Sequence, residues 1–325
     1  MKRLTARLVL IVGASLAGSA QTLLTVEVKN YVPYHIDVPD PATFASNPGI
    51  TPGTPRVFQR FVFIGDIVSV NGQPAKGIWT ATVVTLQTSL TPTAKQAIAD
   101  GVRNNIIEMY FDLMQADGTP IGTIMTSGLT RGSPAPGAPL VQTGDSIAIV
   151  GGTGAFLGLR GQAGMIDAGS PRQASAVEDP ANRRINGGAN RSYVLHVIPM
   201  LRPEVAITSN GPAVTHSGDF SLVTASKPAA PGEILSLFAT GLGPTKSGVD
   251  PGQPFPSKAL AVVNSPLQVT VSGKPAEVLG AVGYPGSVDS YQVNFRLPAD
   301  TPKGTASIQV IAAWIAGPPV SITVQ

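Results

Sequence analysis

Short apolar runs separated by glycine, proline, asparagine and aspartate recur along the whole chain, and most of them alternate with a period of two. The segment 106–114 shows the pattern well. Ile107, Met109, Phe111 and Leu113 alternate with Glu108, Tyr110 and Asp112, as in a strand with one buried face. By the same criterion strands are expected at 60–70, 78–86, 121–127, 146–150, 157–166 and 192–198. Asn71-Gly72 and Asp117-Gly118 lie between expected strands and suit turns that need positive φ. One helix is expected over 91–101, with Thr91 as N-cap, Pro92 at the first helical position and Gly101 at the stop. Two long connections remain, 131–144 and 168–190. Beyond Pro199 and Pro203, which bracket a boundary, strands recur at 205–209, 234–240, 267–272, 291–297, 305–312 and 320–324. Their spacing suits a sandwich. The fold class is therefore all-β, in two blocks.

One stretch breaks the alternation. The apolar run from Ser146 enters Gly-Gly-Thr-Gly-Ala-Phe-Leu-Gly-Leu-Arg-Gly-Gln at 151–162. A strand running into glycines is also how a dinucleotide-binding loop begins, but such a loop needs fixed glycine spacing and a helix after it. Gly152 and Gly154 fit the first two positions, whereas the third falls on Leu157. Gly158, Gly161 and Gly164 then occupy the window where the helix should run, at about 1 kcal/mol each against alanine. The residues fit a tight corner between two strands instead.

Composition locates the chain. Lys2, Arg3 and Arg7 precede an apolar stretch ending near Leu16, and Gly18-Ser19-Ala20 offers a cleavage site, so residues 1–20 read as an export signal. No later run approaches the roughly 20 apolar residues of a spanning helix, so no membrane span is expected once the signal is removed. The formal net charge of +3 is carried by the three basic residues of that signal, which leaves the remainder neutral. A neutral chain has no field to attract nucleic acid. There is no cysteine, which excludes disulfides and thiolate chemistry.

Two resemblances follow from particular residues. The corner at 151–162, with Phe156, Arg160 and Gly161 on matching positions, resembles the signature of the allene oxide cyclase/dirigent superfamily. That likeness spans about residues 21–200 and implies an antiparallel eight-stranded β-barrel with an apolar lumen, often assembled as a homotrimer. Cyclases of that superfamily use a cysteine and a glutamate in the lumen, and this chain has no cysteine. The residues that could supply a polar luminal cluster are Glu108, Tyr110 and Asp112, with Arg160 at the corner. The other reading of the same strand puts Ile107, Met109, Phe111 and Leu113 in the core and the polar face in solvent. Ala-Pro-Gly-Glu-Ile-Leu-Ser-Leu-Phe-Ala-Thr-Gly-Leu-Gly-Pro at 230–244 and Ser-Tyr-Gln-Val-Asn-Phe-Arg-Leu-Pro-Ala-Asp-Thr-Pro-Lys-Gly at 290–304 resemble the uncharacterised C-terminal domain of exported acidobacterial proteins. That domain is similar to the IPT/TIG fold and implies an immunoglobulin-like β-sandwich over 203–325.

Other chemistry is thinly represented. His35, His196 and His216 have no ligand spacing, so no metal is expected, and no Gly-x-Ser-x-Gly elbow occurs. His35, near Asp37 and Asp40, reads as part of a surface turn, and Glu178-Asp179 as solvated loop residues. Tyr291 and Phe295 share one strand face and read as core. These readings combine into an exported protein (periplasmic, cell-surface or secreted) with no cofactor and no catalytic residue. Its barrel is expected to bind a small apolar ligand or a cell-surface or protein partner, with the sandwich as an accessory module. The alternative is a dirigent- or cyclase-like enzyme acting on an apolar substrate in the lumen, with Glu108, Tyr110, Asp112 and Arg160 as ligand-binding residues.

Overall fold

The computed structural model describes residues 22–36, 58–86, 104–130, 145–167 and 169–325. The export signal, the expected helix over 91–101, the connection 131–144, and Asp37 and Asp40 lie outside the described residues.

Among the described residues, nine strands form the first unit: β1 (Thr22–His35), β2 (Phe58–Val70), β3 (Gln73–Leu86), β4 (Asn104–Met114), β5 (Pro120–Thr130), β6 (Ser146–Gly152), β7 (Arg160–Asp167), β8 (Ala174–Ser175) and β9 (Ala189–Ile198). Eight of them pair antiparallel in the order β2-β3-β4-β5-β6-β7-β9-β1, and β1 returns to β2 and closes the barrel. β8 adds to β1 in parallel outside this ring, Tyr34 facing Ala174. The alternation pattern does not announce β1, and its register shows why. Asn30 has φ 55° at a bulge between Lys29 and Val32, where the alternation changes phase and Tyr31, Val32 and Pro33 are buried in succession. Asn71 and Gly72 form the expected two-residue turn between β2 and β3, with φ of 51° and 73°.

The inward residues fill the barrel. Leu24, Val26, Trp79, Met109, Phe111, Tyr193 and Leu195 are fully buried in one cluster drawn from β1, β3, β4 and β9. The apolar side faces in and charged residues such as Lys29, Glu108 and Arg160 face out, the reverse of a membrane-spanning barrel. No helix among the described residues is long and apolar enough to cross a membrane.

The second unit contains β10 (Glu204–Val205), β11 (Ile207–Thr208), β12 (Gly211–Pro212), β13 (Val214–His216), β14 (Ile234–Thr240), β15 (Leu267–Val271), β16 (Lys274–Gly283), β17 (Tyr291–Arg296), β18 (Gly304–Ala312), β19 (Ile315–Ala316) and β20 (Val320–Val324). One layer runs β13 and β10 on β14, then β17 and β16; the other runs β15, β18 and then β19 and β20. β16 pairs with β15 at its start and with β17 along the rest, and so joins the two layers around a common core. The sequence pattern does not announce β16, whose Lys-Pro-Ala-Glu start is poor strand material and whose Glu277, Leu279 and Gly280 are exposed. Tyr291 and Phe295 lie in the core as expected.

The strand directions gather the 71–72, 115–119 and 153–159 connections at one end of the barrel, and the sandwich sits against that proximal end. Ala313 and Trp314 make the two-residue turn between β18 and β19, both with positive φ (48° and 63°). With Ile315 they join the barrel's own core cluster. Asn264 Nδ2 donates to the Pro120 carbonyl at 2.7 Å, Gln115 Nε2 donates to the Asn264 carbonyl, and Lys246 pairs with Asp117 at 2.6 Å.

Candidate functional site

β4 places the expected polar residues on the outer wall. Ile107, Met109, Phe111 and Leu113 enter the core, while Glu108 and Tyr110 are exposed and Asp112 is half-buried. The luminal cluster expected of Glu108, Tyr110 and Asp112 is thus not formed; strand alternation turns all three away once the larger apolar set fills the interior. Asp112 accepts a hydrogen bond from Thr123 Oγ1 on the neighbouring strand. Arg160 opens β7, three strands away from β4 around the ring, and donates to the Leu159 carbonyl at 2.9 Å rather than to a cross-strand carboxylate. The four residues do not converge on one point.

Around Glu108 and Tyr110 the wall carries apolar side chains. Ile106 pairs directly with Leu129 across β4 and β5, Tyr110 pairs with Met125, and Val150 projects from adjacent β6. Ile106, Leu129 and Val150 are 54%, 43% and 47% exposed; the first two form one apolar pair, and Val150 stands with Tyr110 and Met125 beyond the polar row of Glu108 and Ser127.

The interior holds an arrangement that sequence reading did not find. Arg191, on β9, lies inside the barrel with its guanidinium 4.3 Å from the centre of the Tyr31 ring and within 6 Å of Phe63 and Trp79. Its two terminal nitrogens reach the hydroxyls of Tyr31 and Tyr193, each at 3.3 Å. Trp79 in turn packs on Tyr193 at 5.3 Å. Aromatic faces and phenolic oxygens together stabilise a cation that bare hydrocarbon would not. Arginine keeps its proton throughout the accessible pH range, so the group anchors and orients but does not serve as an acid or base. Arg191 sits just past a long connection in the sequence, and only the alternation of β9 from Arg191 through Tyr193 and Leu195 would have marked it as inward.

The segment that follows β7 packs on the outer face of β1 and β2, where Ala174 joins Val32, Tyr34 and Ile64. Its 3-10 turn Pro180–Arg184 is capped by Asp179, whose carboxylate accepts from the Ala181 amide at 2.8 Å. Arg184 grips Asp66 of β2 through two nitrogens, at 3.0 and 2.6 Å, and Arg183 and Asn30 complete the set at 2.5 and 3.3 Å. Burial alone would raise the Asp66 pKa, but the hydrogen bonds from Arg184, Asn30 and Arg183 outweigh it and hold the carboxyl below its ordinary value. Arg172 takes Glu178 in a two-pronged pair at 2.9 and 2.5 Å. Glu178 and Asp179 therefore organise this segment and are not merely solvated. His35 likewise departs from the expected surface turn: it is buried, bonded to Gln173 Oε1 at 2.6 Å and edge-on to Phe61 at 4.3 Å.

No family model and no curated protein matches the chain. Among solved structures, the N-terminal domain of a Streptococcus gordonii adhesin aligns over 96% of this chain and 94% of its own, at 10% identity and a TM-score of 0.17. A score of that size carries neither fold nor function across.

The glycine corner takes its place in the architecture at the proximal end. Gly154 opens a 3-10 turn to Phe156, and Phe156 is fully buried in the barrel cluster. Thr153 ties this turn to β5: its amide donates to the Thr123 carbonyl at 2.9 Å and its hydroxyl accepts from the Thr123 amide at 3.2 Å. A groove of about 450 Å³ runs between Asp112, Thr153, Gly154 and Pro244 of the sandwich. Of the predicted features, Asp112 and the corner are the pair that the fold brings together.

Proposed function

We propose that the chain is an exported, non-catalytic binding protein whose barrel engages a protein partner, in the first instance further copies of itself. The sandwich acts as an accessory module fixed to the proximal end. The observation that carries this reading is the filled interior: Trp79, Phe111, Met109 and Tyr193 occupy the space where a luminal ligand would sit. Recognition then falls to the outer wall. Ile106 and Leu129 face each other across β4 and β5 as an exposed apolar pair, and Val150 lies beside Tyr110 and Met125 two residue rows along, with Glu108 and Ser127 in the row between. In this reading the barrel has the corner of allene oxide cyclase/dirigent proteins without their luminal chemistry. The lumen-acting alternative loses its support because Glu108, Tyr110 and Asp112 face outward.

Sedimentation equilibrium on the mature chain and on an I106K/L129K double variant tests the proposal. Both side chains point away from the core, so the variant is expected to fold and to melt like the parent. The parent is expected to sediment as an assembly and the variant as a monomer. A monomeric parent would overturn the reading.

A further inference from the structure

Two concavities adjoin where the barrel's last strand hands the chain to the sandwich. One, of about 400 Å³, is lined by the 198–202 linker, Glu204 and the end of β14. The other, of about 270 Å³, lies between Leu157 of the glycine corner and the sandwich loops 243–255 and 288–291. Leu201 and Asp289 line both, so the two form one cleft with Asp289 at its centre. Combined, they fall within the range that holds small ligands, and a domain junction is a common place for such a site.

The walls carry two complementary chemistries. Leu157, Met200, Leu201 and Val288 leave large apolar surfaces exposed along the cleft, between 48% and 76% open. The charged lining is acidic on balance, since Glu204, Asp250 and Asp289 stand against Arg202 alone. Beneath Asp289 lie two aromatic rings, Tyr291 and Phe255, 5.1 Å apart, and the Tyr291 hydroxyl is directed to the Gly243 carbonyl at 2.8 Å. Asp289 is itself held in a left-handed conformation (φ 52°), which fixes its carboxylate beside the Gly241 amide and the Tyr291 hydroxyl. Apolar walls and a fixed carboxylate together match an ammonium group on an apolar body.

We propose that this junction cleft binds small organic cations, amines with an aromatic or aliphatic body, with Asp289 as the charge partner. The site is separate from the outer wall of the barrel and does not depend on how that wall is used. Partial burial raises the Asp289 pKa against the opposing hydrogen bond from the Gly241 amide.

The test is calorimetric titration of the full mature chain with 2-phenylethylammonium at pH 7.5 and low salt, with 3-phenylpropionate as the anionic control of similar shape. Asp289→Asn keeps the size, and asparagine tolerates the left-handed backbone, so the fold is preserved. Leu201→Ser probes the apolar wall at an exposed position. The ammonium ion is expected to bind at one site, and each variant to weaken it about tenfold or more with an unchanged thermal midpoint. Phenylpropionate is expected to give no saturable heat. A silent titration of the parent, equal binding of the two probes, or a D289N affinity equal to that of the parent would each overturn the assignment.

Discussion

At Asp66 one carboxylate gathers two arginines and an asparagine, and the cost of losing it can be argued directly. Arg183 is almost fully buried, so Asp66→Asn would leave its guanidinium without a counter-charge, at about 3 kcal/mol. The pH dependence follows from the depressed pKa of the folded state. Above the ordinary aspartate value the stabilisation is fully present, and it is lost as pH falls through the lower, folded value. Urea unfolding of parent and D66N should therefore show a full stability gap at pH 7 that narrows only below about pH 4. A gap unchanged down to pH 2 would mean that the carboxylate's charge is not what matters. At this scale the sequence is mute, because the partners of Asp66 lie 36 and more than 115 residues away.

The glycine corner shows what an element adds to its residues. Gly154 has φ 59°, and a Cβ there would stand 2.4 Å from the Ile121 carbonyl oxygen. Gly72, with φ 73°, has open space around it. Replacing each with alanine separates two costs. Gly72→Ala should cost only the left-handed strain, about 1 kcal/mol, whereas Gly154→Ala adds a backbone clash and should cost about 3 kcal/mol or more. Equal losses in chemical denaturation would show that crowding against β5 plays no part. The corner was legible in the sequence because glycines unable to continue a helix leave few other solutions. β1 was not legible, since one bulged asparagine shifts its alternation by a residue, and β16 was not, since its start reads as a turn.

For the whole molecule, the question is whether barrel and sandwich behave as one body. Trp314 argues that they do: a bulky residue is held at positive φ in a tight turn, and its side chain belongs to the barrel's core cluster although its chain belongs to the sandwich. Trp314→Ala should remove about 3–5 kcal/mol. In calorimetry it should split one transition into two, because the lost packing is what couples the units. A single transition lowered as a whole would show that Asn264, Gln115 and Lys246 are sufficient to couple them.

Period-two alternation, turn residues and the glycine corner determined the all-β class, the expected turn at Asn71-Gly72 and the division of β4 into an apolar and a polar face, because these depend on neighbours within a few residues. Which polar residues meet each other was decided only by tertiary structure. The outward turn of Glu108, Tyr110 and Asp112, the burial of Arg191 among aromatics, and the cleft at Asp289 all depend on strands closing into a ring and one ring end meeting a second unit. Such contacts join residues far apart in the chain, and local pattern carries no record of them.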